Sequence, residues 1–123
     1  MADEVRNMLR SLFMPTAEEC RRVDWRPAVD IYGTRRGWLI KFDLAGVRPQ
    51  EIELTARGQR LTVRGVRRDF SLEEGHRCHS LEISYNRFER TVELPCDIEA
   101  AQVTTDYRDG MLLVHLQLEN TEG

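Results

Sequence analysis

The sequence predicts an all-β domain folded as an antiparallel β-sandwich and preceded by a short helical arm. Three observations predict it. Hydrophobic residues alternate with period two through seven separate stretches. Gly, Asp and Pro punctuate the gaps between these stretches, and none of the gaps carries a long helical repeat. Short antiparallel strands need a second sheet to cover their apolar face, which gives a sandwich and excludes a doubly wound α/β sheet. With 123 residues, 41% of them hydrophobic and 32% charged, the chain is of a size to form one domain around one core.

The elements follow in order. Val5, Met8, Leu9, Leu12 and Phe13 fall at i, i+3, i+4, i+7 and i+8, so they share one helical stripe. Pro15 ends that helix, and Thr16 with Glu19 reads as a capping box opening a second, shorter one. Helices this short are marginal alone, so the stripe must pack on its own domain or cover another chain's apolar surface. From Trp25 the period becomes two. Val29 and Ile31 form a first strand before a Gly33–Gly37 loop, and Trp38, Ile40, Phe42 and Leu44 share one face of the second. Ile52, Leu54 and Ala56 mark the third, and Leu61, Val63 and Gly65 the fourth, joined through a Gly58-Gln59 hairpin tip. Phe88, Arg90, Val92 and Leu94 make the fifth, stopped by Pro95. Val103, Thr105 and Tyr107 make the sixth; after an Asp109-Gly110 turn, Leu112, Val114, Leu116 and Leu118 make the seventh. The segment from Arg68 to Ser80 is long and charged, a length that in a compact domain marks function or disorder. Ser71 and Glu74 predict one capped helical turn there, and Arg77–Leu81 a short strand. The organisation is an arm over 1–24, a domain over 25–118 and a polar tail over 119–123.

Composition narrows the chemistry. A formal net charge of −3 argues against a nucleic-acid binder that works by neutralising phosphates. No apolar run approaches the ~20 residues of a membrane span. The N-terminus lacks a signal peptide's basic start and unbroken apolar stretch, so the expected location is cytoplasmic. Cys20, Cys78 and Cys96 are odd in number and widely spaced; they form no disulfide framework and fit a reducing compartment. The pairs Arg35-Arg36 and Arg67-Arg68 read as solvated turn residues. His76, Cys78 and His79 are the densest metal-ligating cluster, but a structural zinc site needs four ligands. A Cys–His nucleophile would need an orienting group and an oxyanion site, and the sequence marks neither. With no nucleotide-binding glycine motif either, the expectation is a binding or structural module, not an enzyme, with no cofactor and no metal.

Two features carry physical information. Arg90 shares the inward face of its strand with Phe88, Val92 and Leu94, where an unpaired charge is costly. It must snorkel at the sheet rim or find an inter-strand or inter-subunit salt bridge. Leu54, Val103 and Thr105 lie on strand faces that could border a groove between sheet edges, with Ile52 beside them as core.

A family resemblance covers residues 25–118. Trp25-x-Pro27-x-Val29-Asp30-Ile31-Tyr32, Phe42-Asp43-Leu44-Ala45-Gly46-Val47 and Glu51-Ile52-Glu53-Leu54 occur in order. They are followed by Leu61-Thr62-Val63-Arg64-Gly65-Val66-Arg67, Glu82-x-x-Tyr85-x-x-Phe88-x-Arg90 with Leu94-Pro95, and Tyr107-x-x-Gly110-Met111-Leu112. Together they resemble the alpha-crystallin domain of the small heat-shock proteins, in the bacterial and plant branch. The resemblance implies an immunoglobulin-like sandwich and an ATP-independent holdase that binds partly unfolded client proteins and prevents their aggregation. It implies a homodimer or small homo-oligomer, with other small heat-shock proteins as further partners. The contact would run through a swapped loop containing His76, Arg77, Cys78, His79, Ser80 and Leu81, and through Arg90 as a salt-bridging arginine. Val5, Met8, Leu9, Leu12 and Phe13 on the arm, and Leu54, Val103 and Thr105 at the groove, are the client-binding candidates. The sequence departs from the family at Ala45 and Gln117, where Pro is usual, and at Asn86, where Gly is usual. No Ile-x-Ile tail follows the domain, so cage-like assembly is not expected. Two other readings compete: a co-chaperone-type adaptor for one folded partner, and a redox or metal protein built on His76, Cys78 and His79.

Overall fold

Alternation alone places the strands, and the structure, a computed structural model, describes residues 25–118. All seven strands are present: β1 (Val29–Gly33), β2 (Gly37–Asp43), β3 (Ile52–Arg57), β4 (Arg60–Val66), β5 (Arg87–Glu93), β6 (Gln102–Arg108) and β7 (Met111–Gln117). They form two antiparallel sheets, one in the order β1-β2-β7-β6 and the other in the order β3-β4-β5. The hairpin turns are as their sequences demand. Gly58 adopts φ +56°, and Asp109 and Gly110 adopt φ 52° and +79°, the left-handed pair that matches a tight turn to the twist of its strands. The predicted helical arm lies outside the described residues.

The core is the product of the period-two pattern. Ile40, Phe42 and Leu44 meet Leu112, Val114 and Leu116 on one sheet, and both face Leu61, Val63, Phe88 and Val92 on the other. Leu94 and Ile98, carried by the chain leaving β5, close one end. Two polar contacts fasten the edges. The Tyr107 hydroxyl lies 2.8 Å from the Leu44 carbonyl oxygen and 2.7 Å from that of Val47, pinning β6 to the turn after β2. Burial pushes its phenol pKa above the usual value. At the other end of the sandwich the Trp38 indole Nε1 donates to Cys96 Sγ at 3.4 Å.

Several expectations are corrected. Between β4 and β5 there is neither a capped helical turn nor a strand; only Arg77 takes part in a single β-bridge. The reason for the first is local. The Asp69 carboxylate accepts both the Ser71 amide and the Ser71 hydroxyl, which folds Asp69–Ser71 into a local side-chain turn instead of the start of a helix. Glu73 likewise gives its amide to His76 Nδ1. A 3-10 turn over Pro49–Glu51, opened by its proline, precedes β3 and was not anticipated. The expectation of thiols free of disulfides fails at Cys78, which is disulfide-bonded, whereas Cys96 is free.

Candidate functional site

The two sheets differ in width, and that mismatch creates the first candidate surface. Trp25 bridges Phe88, and Arg90 Nη1 donates to the Pro27 carbonyl oxygen at 2.9 Å. These contacts place β5 against the chain entering β1, so the opposite edge, β3, stands on the β6 side. Both β3 and β6 are edge strands, hydrogen-bonded to one neighbour each. Val103 pairs with Leu116 and Thr105 with Val114, so both point the way those buried residues point. Yet Val103 is 40% exposed and Thr105 is exposed as well. Opposite them Ile52, Leu54 and Ala56 are only half-buried on the inner side of β3. Each of these edges therefore leaves inward-facing residues incompletely covered. Of the groove residues expected from sequence, Leu54 lies half-buried on the β3 edge beside Ile52, and Val103 and Thr105 lie exposed on the β6 edge. Val5, Met8, Leu9, Leu12 and Phe13 lie outside the described residues.

The second surface is the long connection from β4 to β5. Its neck is closed by the Arg67 amide donating to the Asn86 carbonyl at 3.0 Å, one step beyond the Val66–Arg87 pair. His76, Arg77, His79 and Ser80 are exposed on it, and Cys78 and Leu81 are half-buried. Phe70 and Ile83 present apolar surface at 55% and 60% exposure. Among the described residues β1 pairs only with β2, which leaves a strand edge, and it carries exposed Ile31 and Tyr32. Exposed apolar residues beside an unpaired strand edge make a surface that another strand can complete.

Arg90 behaves as its position dictates. It lies inward on β5, half-buried, and its Nε is buried without a hydrogen-bond partner. Among the described residues its guanidinium meets the Pro27 carbonyl and no carboxylate. Among the described residues neither an inter-strand salt bridge nor full escape to solvent is seen.

Sequence reasoning missed Arg67. Read as a solvated turn residue, it is half-buried, with its guanidinium stacked 3.6 Å from the Trp25 ring centroid and 5.4 Å from that of Tyr85. Its companion Arg68 is exposed as expected but ion-paired to Glu51 at 2.8 Å. The signal available was the aromatic pair, Trp25 and Tyr85, but both lie far from Arg67 along the chain. Among the described residues no group of three or more His, Cys, Asp or Glu is placed to hold a metal ion. No helix there is long and apolar enough to cross a membrane.

Comparison with known proteins gives this geometry a context. Residues 30–123 match the model of the Hsp20/alpha crystallin family. The chain is 33% identical over 90 residues to spore protein SP21 of Stigmatella aurantiaca, covering 73% of this chain and 53% of that protein. It is 26% identical over 96 residues to small heat shock protein C2 of Rickettsia felis, covering 78% of this chain and 61% of that one. The chain therefore spans little more than half the length of these relatives. Among solved structures it resembles hspA of Xanthomonas axonopodis, with a TM-score of 0.66, 29% identity, and coverage of 79% of this chain and 97% of the other. HSP18.5 of E. histolytica is similar at the same TM-score of 0.66, with 26% identity and coverage of 80% and 94%.

Proposed function

Because the chain belongs to the Hsp20/alpha crystallin family, whose members are chaperones and not enzymes, we propose that it is an ATP-independent holdase. It binds partly unfolded proteins by their exposed apolar segments and so prevents their aggregation. The observation that supports this reading is on the β6 edge, where Val103 and Thr105 face inward by register yet stand uncovered; with β3 they would border a trough that takes a client segment. A client exposes apolar surface that drives aggregation, and covering it with apolar surface of the chaperone removes that drive without any chemistry. An extended client segment could also add its backbone to either edge strand. The stripe of Val5, Met8, Leu9, Leu12 and Phe13 would add a second apolar surface, its methionine adaptable to varied partners.

Family members form homo-oligomers, and here the proposed unit is a dimer or small oligomer. The loop carrying His76–Leu81 would lie along the β1 edge of a second copy and pair with it there. Arg90, inward and without a carboxylate partner among the described residues, would take its counter-charge at or near that contact. Arg90→Ala is expected to weaken subunit association at least tenfold, read by sedimentation over a dilution series. Unchanged association would remove Arg90 from the interface. The proposed location is the cytoplasm, where a disulfide at Cys78 would be transient.

The test of the function is light scattering from a heat-labile protein warmed with and without this chain, in the absence of nucleotide. Suppression near one subunit per client, unaffected by chelator, is the expected result. Failure to suppress at any temperature would overturn the holdase reading in favour of an adaptor for one folded partner.

A further inference from the structure

Arg67 is a half-buried cation that no carboxylate neutralises through an ion pair among the described residues. Its hydrogen bonds go to backbone. Nε donates to the Ser84 carbonyl oxygen at 2.7 Å, Nη2 donates to the same oxygen, and Nη1 donates to the Ala45 carbonyl at 3.1 Å. One face of the guanidinium lies 3.6 Å from the Trp25 ring centroid. Desolvation lowers its pKa from the usual value, so the site holds the cation at a cost that these contacts must offset. A guanidinium is suited to the task because its planar fork serves two acceptors at once while its face stacks on an aromatic ring.

What the residue connects is more informative than how it is held. Arg67 is the first residue beyond β4, and Ser84 lies three residues before β5. The side chain therefore joins the two ends of the long loop to each other, reinforcing the backbone bond from Arg67 to Asn86. Through Ala45 it also fastens the neck to the turn after β2, in the opposite sheet. Through Trp25 it reaches the chain entering β1, and the Trp25 ring itself packs edge-on against Phe88 with centroids 5.1 Å apart. The ties from Arg68 to Glu51, and from Arg48 over the Phe70 ring at 3.8 Å, hold only the β4 side of the loop, and the Cys78 disulfide holds it farther out, beyond the neck.

We propose that Arg67 is the latch of the 68–83 loop, a positioning residue that clamps the neck and fixes the direction in which the loop leaves the domain toward a second copy. This rests on the reading that the loop docks on another subunit. A loop with an open neck samples many exit directions, and the ordering needed for docking then has to be supplied on association. With the neck clamped, that ordering is already made.

The test uses the full chain and three variants: Arg67→Ala, Arg67→Lys, and Arg64→Ala as a control that loses only an exposed pair with Glu89. Amide hydrogen exchange follows residues 68–86 separately from the core strands, and sedimentation follows subunit association. Arg67→Ala is expected to speed exchange in the loop at least tenfold and to weaken association at least tenfold, with exchange in β2 and β7 unchanged. Arg67→Lys keeps the charge but lacks the fork, and should restore less than half of the association free energy. Arg64→Ala should match the wild type. Unchanged loop exchange in Arg67→Ala overturns the latch. Core strands that open together with the loop also overturn it, because Arg67 would then be a general stabiliser. A freed loop with undiminished association refutes the positioning role. A wild-type chain that stays monomeric at every concentration ends the docking reading instead, and loop exchange alone then upholds or overturns the clamp.

Discussion

Phe42→Ala is expected to lower the free energy of unfolding by about 3–5 kcal/mol. Phe42 is fully buried and ranks first by volume among such side chains of the domain. It lies on β2, which is bonded to β1 on one side and β7 on the other, so the hole cannot close by moving an edge strand inward. Its neighbours in register, Val29 and Leu112, are too small to fill the space in their own rotamers. The loss has two parts, the removed apolar surface and the cavity left behind. Total stabilities of single domains are about 5–15 kcal/mol, so the variant should lose a large share of its stability. Urea titration checks this: the midpoint should fall steeply with the slope unchanged. A shift below about 1 kcal/mol would mean that the core rearranges more freely than its packing implies.

Gly65→Ala is the second large effect, for the opposite reason. A β-carbon there would sit 2.4 Å from the Glu51 carbonyl oxygen and 2.7 Å from Cζ of Phe88. The first neighbour is backbone and cannot swing away. The second is a buried ring already held edge-on by Trp25. Either β3 moves off β4 or the Phe88 ring turns out of the core, and overpacking of this kind costs about 1–3 kcal/mol or more. Because Phe88 and Trp25 are linked to the Arg67 neck, the damage should travel: loop protection should fall along with global stability. Thermal unfolding and hydrogen exchange measured together check the pair of effects. Full stability in Gly65→Ala would show that β3 is not held where it stands.

Much of the architecture was legible because it depends on neighbours in sequence. Alternation along Trp38–Leu44 or Met111–Leu118 is a property of consecutive residues, and so is the left-handed turn at Asp109-Gly110. The inward position of Arg90 was readable for the same reason, from the parity of Phe88, Val92 and Leu94. Arg67 was not. Its burial is decided by Trp25, Ala45 and Ser84, which converge from three distant parts of the chain, and an arginine beside a second arginine reads as solvent-facing. The Arg77–Leu81 strand failed for a related reason, since a strand's existence depends on the edge available to it. The exposed strip was half legible: parity put Val103 and Thr105 inward, but only the sheet order reveals that they stand on an edge strand.

That mismatch of four strands against three has a thermodynamic consequence. Any molecule that covers the uncovered strip in the folded domain, and has no equal affinity for the unfolded chain, raises the unfolding free energy by RT ln(1 + [L]/Kd). The melting temperature of this domain is therefore not a constant of its sequence. It is an isotherm, rising with the concentration and fit of whatever occupies the trough, and a melting curve taken across a ligand series reads occupancy without a label.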